Sequence, residues 1–229
     1  MMRKIIGKII DIVLPPSEKE TASKEAPPPA KEVKAVSLEQ LLGGALGEAP
    51  AEPDLRVIGL YSSVEDEKIA ELTQALLYLN EMNRLLPEGK EKKPVEFYIN
   101  TYGGSADDMF AMYDVMQSVM EETEIHTIGV GKVMSAGTLL LAAGTKGKRK
   151  IGKNCRVMIH NVAAGNFGNL PNLANELEAI QTLQEDYIAA MVENTKFTRK
   201  KLEKLLNEKV NIYLSAEEAV KYGLADEIM

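Results

Sequence analysis

The chain has no tryptophan, one cysteine and two histidines in 229 residues, and aromatic residues make up only 5% of it. Each scarcity excludes something. A lone Cys155 permits no intrachain disulfide, which fits a reducing compartment and a cytoplasmic location. Its setting, Cys155-Arg156-Val157-Met158-Ile159, is an apolar, strand-like run and marks it as a small core residue. Few aromatics leave little surface on which bases could stack, and a net charge of −7 argues against nucleic acid as the main partner. No stretch approaches the roughly 18–20 apolar residues of a membrane span. Metal-ligand spacings and a Walker-type phosphate loop are both missing, so neither a metal site nor ATP hydrolysis by that route is expected. Any chemistry that needs an imidazole has only His126 and His160 to draw on.

Hydrophobic residues supply 45% of the chain, enough for a sizeable core in one large domain plus a tail. Residues 1–14 are basic and apolar. Ile5, Ile6, Ile9, Ile10 and Val13 share one helical face, and the segment lacks the features of a signal peptide, so a docking or removable role is expected. Residues 15–54 mix Pro15-Pro16, Pro27-Pro28-Pro29, Pro50 and Pro53 with Lys, Glu and Ala. That composition reads as a disordered linker.

From residue 55 the texture changes to alternating strands and helices. Strands are expected over 55–61, 94–100, 124–131, 156–160 and 212–214. Helices are expected over 64–86, 107–119, 135–143, 170–194 and 200–206, with a last one opening on the capping pattern Ser215-Ala216-Glu217-Glu218. The alternation predicts an α/β fold with a largely parallel sheet, whose sites gather at the carboxyl ends of strands. Gly103-Gly104, Ser135 and His160 all fall at such ends.

Those four positions can do nucleophilic chemistry together. Ser135 sits between the turn Gly131-Lys132-Val133-Met134 and the apolar run Leu139-Leu140-Leu141-Ala142-Ala143. A sharp turn with a packed helix behind it presents a hydroxyl and holds it still. The same serine could instead be an ordinary helix N-cap. His160 ends an apolar strand before the glycine-containing loop Ala163-Ala164-Gly165-Asn166-Phe167-Gly168, where its ring can act as a base on the serine hydroxyl. His126 lies mid-strand and reads as structural. A tetrahedral intermediate needs backbone N–H donors: Gly104 brings bare backbone close, and Ala136 offers an N–H at a helix start.

Seven ordered words carry a resemblance to the Clp protease proteolytic subunits over residues 56–229. They are Arg56-Val57-Ile58 with Val64-Glu65-Asp66; Tyr98-Ile99-Asn100 with Gly103-Gly104-Ser105; Tyr113-Asp114-Val115-Met116-Gln117; Met134-Ser135-Ala136-Gly137 with Leu140-Leu141-Ala142-Ala143-Gly144; Lys146-Gly147-Lys148-Arg149; Asn154-Cys155-Arg156-Val157-Met158-Ile159-His160; and Leu214 through Asp226. The resemblance implies a ClpP/crotonase-like superfold with a long helix/strand handle for ring stacking. It implies a serine endopeptidase working in stacked seven-membered rings, homo- or hetero-oligomeric, on unfolded polypeptide fed by an AAA+ unfoldase. ATP would be used by that partner, and the chain itself would need no cofactor. By position, Ser135 becomes the nucleophile, His160 the base, and the amides of Gly104 and Ala136 the oxyanion hole. Gly103, Gly165 and Gly168 lie in substrate-binding segments.

Three positions depart from the pattern. The third triad member, three residues before Leu214, is Asn211 where the family has aspartate. Tyr102 stands where the family usually has proline, and Ala136 where it has methionine. Asparagine can accept the imidazole N–H and set its tautomer but supplies no charge, so a slow or conditionally active peptidase is expected. The alternative is a weakly active or non-catalytic subunit in a mixed ring; an acyl-CoA enzyme of the same superfold is a third reading.

Overall fold

The computed structural model describes residues 55–165, 167–208 and 210–229. The expectations for residues 1–54 lie outside these residues.

Strands and helices alternate from β1 (Val57–Leu60) through α1 (Asp66–Arg84), β2 (Val95–Thr101), α2 (Ala106–Val119) and β3 (Ile125–Met134) to α3 (Ala136–Ala142). Then come β4 (Lys150–Ile151), β5 (Arg156–Ile159), α4 (Leu170–Asn194), α5 (Arg199–Glu208), β6 (Ile212–Leu214), α6 (Ala216–Tyr222) and β7 (Glu227–Ile228). The sheet runs β1-β2-β3-β4-β7, all parallel. β5 joins β3 in parallel and β6 pairs antiparallel with β5. The α/β, largely parallel architecture is the one expected, because βαβ crossovers are what parallel neighbours require.

β3 organises the site. The expected strand ended near Gly131, whereas the observed one continues to Met134. Gly131 takes φ 65°, a left-handed value that suits glycine. Between Ile99↔Gly129 and Thr101↔Val133 the register slips, so β3 carries two extra residues there. Its first half pairs with β4 and its second half with β5. The bulge therefore redirects the strand end that carries Met134 and Ser135. Two further strands, β4 and β7, are only two residues each, too short to show a period in sequence.

The core closes around α3, all seven residues of which are buried. Burying a leucine completely contributes about 1.5–3 kcal/mol, and Leu139, Leu140 and Leu141 are each fully buried. Close packing also explains Gly137: a Cβ there would lie 2.5 Å from the Thr101 methyl. Cys155 is buried as expected, and burial pushes its thiol up to about 11, which keeps it protonated and inert.

Arg149 ties the helix ends together. Its Nη1 donates to Ala142 O at 2.8 Å and Asn194 O at 2.7 Å, satisfying carbonyls at the C-termini of α3 and α4. Its Nε and Nη2 grip the two oxygens of Asp226 at 2.9 and 2.6 Å. That carboxylate also accepts from the amides of Gly147 and Arg149.

Candidate active site

Ser135 is the one described non-glycine residue with a left-handed φ, at φ 53°, ψ −124°. Such backbone costs about 1–3 kcal/mol and persists only where its surroundings hold it. Here they do: Ser135 N donates to Met158 O at 2.8 Å, and Thr138 donates to Ser135 O from both its amide (2.9 Å) and its hydroxyl (2.6 Å). The Ser135 side chain makes no helix-capping bond. Its Oγ instead lies 2.7 Å from His160 Nε2. Ser135 thus stands at the N-cap position of α3 without capping it through its side chain, and the two residues paired in sequence meet in space.

His160 follows β5 directly. The segment after it is pinned to the helices on either side: Val162 N donates to Gln184 Oε1 of α4 at 2.7 Å, and Asn161 Nδ2 to Leu206 O of α5 at 3.1 Å. Burial pushes the imidazole below its ordinary 6.5, so it is neutral, and able to accept a proton, at neutral pH. His126 takes no part. It sits at the opposite end of β3 and pairs with Glu124 at 2.9 Å.

Two amides face the serine. Gly103 N is taken up by Thr101 Oγ1 at 3.0 Å, so it is not a free donor. Gly103 O accepts from Val64 N at 2.9 Å. A trans peptide points its C=O and the next N–H in opposite directions, so Gly104 N–H is directed away from Val64. Ser135 O is likewise held by Thr138, which directs Ala136 N–H the other way. Neither N–H has a hydrogen-bond partner among the described residues. The two strands of backbone come together because position 103 has no side chain: a Cβ there would lie 2.6 Å from Ser135 Cβ and 3.1 Å from Ala136 N. At Gly104 a Cβ would lie 2.1 Å from Val64 O.

Gly104, Ser135, Ala136 and His160 line a single cavity of about 220 Å³, walled on its apolar side by Met109, Val162 and Tyr187. A nucleophile, a neutral base and two unpaired amides around a small apolar recess form the constellation needed for acyl transfer. Gly165 and Gly168 are exposed, farther along the loop before α4, and do not line this cavity.

Asn211 is placed by strand register. β5 and β6 pair Val157↔Leu214, Met158↔Tyr213 and Ile159↔Ile212, and the next opposed pair would be His160 and Asn211. The Asn211 residue is exposed, however, and no hydrogen bond joins it to the ring among the described residues. A second cavity of about 420 Å³ on this side of His160 is lined by Leu206, Asn207, Glu208 and Val210.

Thr138 and Tyr187 escaped the sequence reading. Thr138 carried a signal, as the only hydroxyl in an otherwise apolar helix. Tyr187 lies 52 residues from Ser135 in the chain and had none.

The chain matches the Clp protease family over residues 53–229. One curated relative, the ATP-dependent Clp protease proteolytic subunit of Deinococcus radiodurans, is 34% identical over 174 residues, which covers 76% of this chain and 80% of the relative.

Proposed function

The chain belongs to the Clp protease family, and on that premise we propose that it is a serine endopeptidase subunit with Ser135 as nucleophile and His160 as general base. The observation that carries the reading is the 2.7 Å contact between Ser135 Oγ and His160 Nε2, made by a serine held in left-handed backbone. His160 takes the hydroxyl proton as Oγ attacks the scissile carbonyl. The oxyanion forms against the N–H groups of Gly104 and Ala136, donors fixed before the reaction begins. The imidazolium then returns its proton to the leaving amine, and water hydrolyses the acyl-enzyme with His160 again as base.

The substrates are unfolded polypeptides, delivered by an AAA+ unfoldase that spends the ATP. The working unit is a stack of rings in the cytoplasm. An exposed apolar stripe on α4, with Leu170, Leu173 and Leu177 exposed at 80%, 38% and 56%, supports self-association. No helix among the described residues is long and apolar enough to cross a membrane.

Asn211 favours a second reading, a slow subunit that works within mixed rings beside a faster one. Replacing the triad aspartate by asparagine in a serine protease costs roughly 10⁴ in kcat. Hydrolysis of a short fluorogenic peptide by the purified chain, with particle mass recorded on the same sample, separates the two. A ring-sized particle that cleaves the peptide, and stops doing so as Ser135→Ala, establishes the autonomous peptidase. A ring-sized particle without cleavage assigns the chain to the mixed-ring role.

A further inference from the structure

Behind the nucleophile lies a hydrogen-bonded chain of three groups. Thr138 Oγ1 has a single proton and places it on Ser135 O at 2.6 Å. Its contact with Tyr187 OH at 3.0 Å must therefore run the other way, with the phenol donating and Thr138 Oγ1 accepting. Burial pushes the Tyr187 hydroxyl up to about 12, so it stays protonated at any working pH. Thr138 is fully buried and Tyr187 is 4% exposed, so water does not compete for either hydroxyl.

The carbonyl at the end of this chain belongs to the Ser135–Ala136 peptide, whose N–H faces the cavity. Hydrogen bonds accepted at a peptide C=O fix the plane of the whole unit, and hydrogen bonds in series strengthen one another. We propose that Tyr187 and Thr138 are positioning residues for catalysis: the relay from Tyr187 OH through Thr138 Oγ1 to Ser135 O sets the orientation of the Ala136 N–H that receives the oxyanion. Tyr187 stands on α4, the long helix whose other end carries the exposed leucines, so the relay also links that helix to the reacting centre. The inference rests on the peptidase reading of Ser135 and His160.

The test uses the full-length chain and a fluorophosphonate, whose P=O must enter the same oxyanion position. The rate constant for modifying Ser135 is measured for wild type, Tyr187→Phe, Thr138→Val and Thr138→Ser, normalised to the titratable sites, with the thermal midpoint recorded alongside. Tyr187→Phe retains the ring, and its rate is expected to fall about tenfold. That is less than the 10²–10³-fold cost of losing an oxyanion donor outright. Thr138→Val is expected to fall further, and Thr138→Ser to recover most of that loss. The imidazole titration of His160, followed by NMR, is expected to stay where it is, because the relay does not touch the base. A Tyr187→Phe rate within twofold of wild type overturns the proposal, as does a Thr138→Ser rate no better than that of Thr138→Val. A purely structural contact would lower the thermal midpoint and leave the normalised rate alone. Wild type that does not react at Ser135 instead defeats the peptidase reading, and the relay falls with it.

Discussion

At the scale of single residues, the site turns on what stands opposite His160. An aspartate would hold the imidazole by its second nitrogen and stabilise the imidazolium; Asn211 has no charge to do so. Burial lowers the imidazole's basicity below its ordinary 6.5. Only the neutral ring accepts the serine proton. The acid limb of the kcat/KM profile should therefore lie below the ordinary histidine range, with activity lost as pH falls through that lowered value. Asn211→Asp should do two things together: raise kcat, by as much as about 10⁴-fold, and move the acid limb upward, because a carboxylate favours the charged ring. Peptide hydrolysis across pH 4.5–8 on both proteins checks this. A gain in rate with an unmoved limb would mean that the new side chain acts elsewhere than on His160.

At the scale of elements, the sequence reading of α4 as residues 170–194 coincides with the observed helix, because Asn169 caps it, Pro171 opens it and twenty-five residues carry a helical period. Its N-terminal half exposes leucines at i, i+3 and i+7, an apolar face that no described residue covers. Leu170→Ser with Leu173→Ser should reduce the sedimenting mass without lowering the secondary structure seen by circular dichroism. Retention of the full particle mass would remove this face from assembly. Legibility follows the same logic elsewhere. Ser135, His160 and the glycine turn were readable because each sits where a strand stops and a small residue interrupts the pattern. The extension of β3 past Gly131 was not, because a bulge is decided by strands from three other parts of the chain. Nor were β4 and β7, since two residues have no periodicity. Asn211 could be located by its distance from Leu214, but that it makes no hydrogen bond to the ring depends on how the end of β6 meets β5, which no local pattern encodes.

At the scale of the whole molecule, one ion pair joins the last strand to the two helices that frame the site. Arg149 and Asp226 are 77 residues apart in sequence, and the pair draws the ends of α3, α4 and β7 to one point. Burial by itself would raise the Asp226 carboxyl; the bonds from the Arg149 side chain and backbone and from the Gly147 amide outweigh it and hold the group below its ordinary 3.8. A carboxylate depressed in the folded state stabilises the fold above its unfolded value, and that contribution is lost as pH falls through the folded one. Asp226→Asn leaves a buried guanidinium without its counter-charge, a change that costs about 3 kcal/mol for a largely buried pair. Urea unfolding at fixed protein concentration should show that full difference from wild type near pH 7. The difference should shrink as the pH is lowered below about 4, because protonated Asp226 then resembles the amide. A gap that is the same at pH 3 and pH 7 would assign the loss to altered packing instead of charge. Because Asn194 O and Ala142 O also depend on Arg149, the same variant should slow Ser135 modification only where it loosens α3 and α4. The ratio of that slowing to the stability loss measures how far α4 and the Ser135 turn move as one body.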